Sequence, residues 1–273
     1  VAGKLPPGFE GLMQKVEEFG DPEISSRLKT AGTKAQITFE LRTARPQEAM
    51  ARVDQARRSL GDTATPQQVE LFDHMAKVAD TVQTEVRKDQ LAWSKEALSV
   101  PLQQLDFNAP DIGQRLKTRA QEAFKVSQYY GVPPRLFTNA ERDALADSVK
   151  AGGQVLIGTV DKMAEHWGPA VTTQAVREIS DKIPEAAVAG YLLANKINQK
   201  AAVDISMTLQ RRQDPNYRPS VMSRSESEGL AKTALGDVYR NFPPQQRDAI
   251  LGAADAVFEA RIANKPDDPP GVY

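Results

Sequence analysis

The sequence predicts an all-α fold, an irregular multi-helix bundle of about ten helices with one long helix near residues 66–98. Three observations predict it. Ala, Gln, Glu, Lys and Arg are abundant and aromatics make up only 6% of the chain, a bias toward side chains that lose little rotamer freedom in a helix. Apolar residues recur at steps of three and four, the spacing of one helical face. The segments between them restart at a proline or a Thr-x-x-Glu/Gln box, the punctuation of helix starts.

The elements follow in order. Pro6-Pro7 precede a short amphipathic segment from Phe9 to Phe19, and Gly20-Asp21-Pro22 breaks it. A second helix spans Asp21 to about Thr43, marked by Ile24, Leu28, Ile37 and Leu41, with Gly32 weakening its middle. Pro46 suits a first helical turn, with Met50, Val53 and Leu60 facing inward. Residues 61–66 form a turn. The long helix starts with Thr65 as cap, Pro66 at the first position and Gln68 completing a capping box. Leu71, Met75, Val78, Val82 and Val86 make one apolar stripe, extended by Trp93 and Ala97, while Asp73, Lys77, Asp80, Glu85 and Lys88 take the solvated face.

After the connector at 99–110, a helix opening at Asn108 or Ala109 places Ile112, Leu116, Phe124 and Tyr130 near one face. It ends at Gly131, the residue type that accepts a left-handed conformation, and Val132 is pushed to extended backbone by Pro133. Thr138-Asn139-Ala140-Glu141 reads as a capping box for a helix closed by Gly152-Gly153. The next helix ends at Gly168, Pro169 starts another, and Pro184 a third. A loop at 211–220 precedes two final helical stretches. The run 154–160 (QVLIGTV) has the best strand-like pattern in the chain. "PPRLFTNAERDALADSV" and "PPQQRDAILGAADAV" read as one capping grammar used twice, with an internal repeat as the alternative. The pattern divides into an N-terminal helical subdomain (1–100), a central one (101–210), C-terminal helices after a basic loop (211–265) and a flexible tail (266–273). The opening VAGKLPPGFEG lacks a methionine and the end NKPDDPPGVY is polar and proline-rich. Both read as linker, fitting either a trimmed chain or a piece of a longer one.

Charge and composition exclude several classes. With 35 basic and 36 acidic residues the net charge is −1, against the basic excess that a dedicated nucleic-acid binder uses to displace counterions. The absence of cysteine rules out disulfides, thiolate metal sites and a cysteine nucleophile. No apolar run approaches the roughly 20 residues of a membrane-spanning helix.

The motifs that could carry chemistry are few. Gly11-Leu12-Met13-Gln14 matches a run found in lytic transglycosylases, but that family's general acid is a glutamate upstream in a Glu-Ser pair. Here Glu10 has no following serine, so Leu12 and Met13 read as apolar marks on the first helix. His74 and His166, the only histidines, lack the i, i+4 partner of a zinc helix. Gly152-Gly153 lack the Gly-Lys-Ser/Thr ending of a phosphate loop and read as a helix stop. Glu17-Glu18 and Glu226/Glu228 lie on polar, solvated stretches. The reading is therefore non-enzymatic, with no cofactor or metal. Arg211, Arg212, Tyr217, Arg218 and Arg224 form a locally basic stretch with Asp214. Arginines beside a tyrosine can hold phosphates or stack on bases, so this is the candidate interaction loop; the alternative is an exposed hinge.

Four features together resemble the central helical region of very large phage and prophage internal virion, or ejection-type, proteins, which often carry a lytic transglycosylase domain elsewhere. They are the Leu105-Asp106 connector, the Tyr130–Pro134 turn, the Thr138-x-x-Glu141 helix start and the run Ala254–Arg261, spanning about residues 60–262. None of that domain's signature is present, so no catalytic residue carries over. The resemblance implies a protein inside the phage head or near the portal, delivered to the host envelope on infection and helping to form a DNA conduit. Its partners would be portal, core or tail components and further copies of itself. DNA contact is left open, without support from the net charge. A peptidoglycan-lytic fragment and a cellular helical scaffold or adaptor are the alternatives.

Overall fold

A computed structural model describes residues 9–18, 20–61, 64–219, 222–236 and 238–264. Among these the chain forms twelve helices and no strand, the all-α fold that periodicity and composition predict. Phe19, part of the first expected helix, and the tail at 266–273 lie outside the described residues.

The chain divides into two compact units, Val1–Leu102 with Ala123–Pro134, and Gln103–Glu122 with Arg135–Tyr273. The first break falls near the expected one at residue 100, but the stretch 123–134 belongs with the N-terminal unit. The residues after 210 are not set apart either, because the last helix packs on helices of the 184–211 region. Helices associate by their apolar faces, and linker-like composition at 211–220 does not reveal which face meets which.

In the first unit the helices are α1 (Phe9–Glu18), α2 (Pro22–Arg42), α3 (Pro46–Ser59) and α4 (Pro66–Leu98). Asp21 caps α2 by accepting from the amides of Glu23 and Ile24, and Thr65 with Gln68 forms the predicted box on α4. Leu41, Ala49, Val53 and Ala79 form a buried cluster, flanked by Ile37, Met50, Phe72 and Met75. The long helix is not continuous. Asp89 leaves helical geometry (φ −155°, ψ 86°), and its carboxylate accepts from Ala92 N at 3.0 Å, so it caps a second helical piece. The stripe runs on past this break: Val82 and Val86 precede it and Trp93 and Ala97 follow, with Leu91 and Ser94 buried beside them.

The chain returns to this unit with the second half of α5 (Ile112–Tyr130). Ile112, Leu116, Ala123, Val126 and Tyr130 of α5 are buried, while Phe124 is 41% exposed. Steps of four and three from Ile112 reach Tyr130 through Arg119, Ala123 and Val126, and Phe124 stands one position off that register. Gly131 takes the left-handed conformation (φ +67°), and the amides of Gly131 and Val132 both return to Ser127 O, closing the helix as the sequence predicts.

The second unit holds α6 (Asn139–Ala151), α7 (Gly153–Arg177), α8 (Pro184–Ala194), α9 (Gln199–Arg211), α10 (Arg224–Leu235), α11 (Val238–Asn241) and α12 (Pro244–Asn264). The strand-like run 154–160 is helical. Leu156, Thr159, Val160 and Met163 are buried at helical spacing in α7. Gly153 therefore starts a helix, and a Cβ there would fall 2.1 Å from Ser206 O of α9, so only glycine permits that close approach. Gly168 (φ +73°, ψ 169°) breaks α7 before Pro169, at the helix boundary the sequence marks. The two Pro-Pro stretches differ. Pro244 opens α12 directly, whereas Pro133-Pro134 lie in the turn and α6 starts at Asn139 behind its own Thr138 cap. At the α8–α9 turn Lys196 and Asn198 both have positive φ (55° and 43°). For a side chain like lysine that conformation costs about 1–2 kcal/mol.

Candidate functional site

The strongest polar constellation lies in the second unit. Arg119 sits on the buried stripe of α5, and its side chain is 1% exposed. Its Nη1 donates to Glu141 Oε2 at 2.6 Å and Leu136 O at 3.1 Å, and its Nη2 to Glu141 Oε1 at 2.9 Å and Gln103 O at 2.5 Å. Glu141 is the capping-box residue of α6, so one carboxylate holds the Thr138 amide, the Leu105 amide and Arg119 together. Burial alone would raise the Glu141 carboxyl. The Arg119 hydrogen bonds and charge, aided by the two amides, overcome that and hold it below its ordinary value. A bidentate, desolvated guanidinium–carboxylate pair of this kind is strong while whole and costly when one partner is lost.

Glu178 follows α7 and accepts from the amides of Leu136 (2.7 Å) and Phe137 (3.1 Å). Arg142 Nη1 donates to the Glu178 carbonyl at 3.2 Å. Burial pushes the Glu178 carboxyl up to about 7, against the two amides and the charges of Arg135 and Arg142. The segment 135–141 is thus gripped by three charged side chains. Trp167 Nε1 adds a bond to Leu116 O at 2.5 Å, and its ring lies 6.0 Å from that of Phe137.

The predicted interaction loop is placed as follows. Arg212 pairs with the buried Glu259 of α12 and lies 3.8 Å from Glu185 of α8. Tyr217 donates to the same Glu259 at 3.2 Å. The Glu259 hydrogen bond raises the Arg212 guanidinium above its ordinary value, and burial raises the Tyr217 phenol. Arg224 pairs with Glu228 and Asp248. Arg218 is exposed and donates to Pro215 O and Tyr217 O of its own loop. Arg211 is half-buried, and its Nη1 has no hydrogen-bond partner among the described residues. The structure brings Arg212 and Tyr217 together on one carboxylate, while Arg224 pairs elsewhere, with Glu228 and Asp248. Much of the positive charge that marks the loop in sequence meets acids from α8, α10 and α12.

The remaining candidates have structural settings. His74 Nε2 lies 2.8 Å from Thr38 Oγ1 and 3.1 Å from Lys34 O, joining α4 to α2. His166 packs over Gly113, where a Cβ would come within 2.6 Å of its ring. Glu10 and Leu12 are exposed on α1, and Gln14 bonds to Glu18. Among the described residues no group of three or more His, Cys, Asp or Glu could hold a metal ion, and no helix is long and apolar enough to cross a membrane.

Arg119, Glu178 and Glu259 carry these constellations and were not among the sequence candidates. Two of them had a readable signal, a charge placed on a buried register: Arg119 between Leu116 and Ala123, and Glu259 between Ala256 and Ala260. Glu178 had none, because its partners are backbone amides of a turn 41 and 42 residues away. What this chemistry does is grip backbone and pair charges within one fold. No family model, curated protein or solved structure matches the chain.

Proposed function

We propose that this chain is a non-enzymatic segment of a phage internal virion or ejection protein, acting through helix packing and self-association. In this reading it sits among portal, core or tail components and serves DNA delivery across the host envelope. The observation that supports it is what the resembling residues do. Leu105 and Glu141 meet in the Arg119 constellation, the Tyr130–Pro134 turn closes α5, and the run 254–261 supplies Glu259 to Arg212. The shared residues are therefore fold-holding ones, which suits a component whose work is architecture.

Sedimentation of the purified chain over a range of concentrations tests the reading, alongside a peptidoglycan-clearing assay. The expected result is a mass that rises with concentration and no clearing. A chain that stays monomeric and clears peptidoglycan would overturn it in favour of a lytic fragment.

A further inference from the structure

The turn between α8 and α9 combines features that no contact within the described fold explains. Residues 196–200 are all exposed. At their centre Ile197 is 48% exposed, and Tyr191 (43%) and Val203 (38%) flank it on the two helices. A lone exposed apolar residue is ordinary on a protein surface; here three lie within about a helical turn of one tip. Lys196 and Lys200 bracket Ile197 and form no ion pair among the described residues. No acidic residue occurs between Glu185 and Asp204.

The turn is also held in place. Lys196 N donates to Leu193 O and Ile197 N to Leu192 O, while Asn195 Nδ2 ties the turn to Thr173 of α7 at 3.1 Å and to Tyr191 O. Glycine is the usual residue at the left-handed position of such a helix end. Lysine occupies it instead, so a strained backbone carries a charge outward beside an exposed isoleucine. Strain of this kind points to a use at the surface.

We propose that the α8–α9 turn is a docking point for an anionic lipid surface, with Ile197 and Tyr191 entering the headgroup boundary and Lys196 and Lys200 reaching the phosphates. Charge complementarity selects this partner. Exposed Ile197 stands between two lysines without an ion pair among the described residues, and the nearest acid along the chain is half-buried Asp204, one turn beyond Lys200; such a tip suits an interface that is apolar below and negative above. The proposal stands independently of the virion reading.

Flotation of the full chain with phosphatidylglycerol vesicles, and with phosphatidylcholine vesicles, tests it at low salt. Binding to the first and not the second is expected, with each lysine removed lowering partition about fivefold. Lys196→Gln with Lys200→Gln should therefore weaken binding strongly, and Ile197→Ser should weaken it at unchanged charge. Lys196→Gly is the decisive variant. It should raise the unfolding temperature by relieving the backbone and still weaken vesicle binding, which separates lipid contact from loss of fold. Absent binding to phosphatidylglycerol, or binding undiminished in the lysine and Ile197 variants, would overturn the proposal. Capture of polyglutamate without vesicles, with the same pattern of losses, would overturn it in favour of an acidic protein partner.

Discussion

Arg119 shows how much of this fold rests on single buried charges. Its guanidinium joins the connector at Gln103, the turn at Leu136 and the helix cap at Glu141. Arg119→Ala leaves Glu141 buried without its counter-charge, and such losses cost about 3–5 kcal/mol. Urea unfolding should show that loss, and Arg119→Met with Glu141→Gln should recover part of it. Glu178 makes a prediction of opposite pH sense to the usual carboxylate. Its carboxyl is raised from 4.5 to about 7, so the folded state favours the protonated form. Its contribution is fully present below about pH 4.5 and is lost as pH rises through about 7, amounting to about 3 kcal/mol at most. The urea midpoint should therefore fall between pH 5 and 8, and Glu178→Gln should flatten that fall. The Thr138–Glu141 box was legible because capping is local, three residues apart. The reach of Glu141 to Arg119 was not, because it depends on a packing partner 22 residues away.

Helix boundaries were the most legible feature, and they were legible where proline or glycine acts through the backbone itself. Pro22, Pro46, Pro66 and Pro184 open their helices, and Gly131 closes one. Gly168 can be tested against a neighbour. Its φ of +73° with ψ 169° is a region that only glycine occupies readily, with no atom near an added Cβ. Gly168→Ala should destabilise by about 1–3 kcal/mol from backbone strain alone. Gly158, in the same helix with equally open space, should respond the other way: Gly158→Ala gains about 0.5–1 kcal/mol of helix propensity. Thermal unfolding of the two variants checks both signs. The break at Asp89 escaped the sequence because the apolar stripe continues across it, and an aspartate cap inside a periodic run looks like a solvated residue. The run 154–160 looks strand-like for a related reason, since a short apolar run fits a buried helix as well as a strand, and it lies in a helix as the all-α reading has it.

At the scale of the molecule, the all-α class follows from composition and periodicity, while the division into units does not. Which helix meets which depends on small-residue faces such as Ala253, Ala256 and Ala260 of α12, and alanine carries no partner label in a sequence. The same holds for the basic loop. Its arginines suggest an anion receptor when read alone, but Arg212 meets acids of α8 and α12, and Arg224 meets Asp248 of α12 besides Glu228 of its own helix. A chain whose buried charges brace its own backbone is suited to architecture, and the central proposal is that this architecture serves a virion. Mass spectrometry of purified, nuclease-treated virions released by the host that carries the gene tests that most directly. The account predicts peptides from across the chain at a constant ratio to the portal protein. Particles that lack those peptides, while the cell lysate contains them, would contradict it.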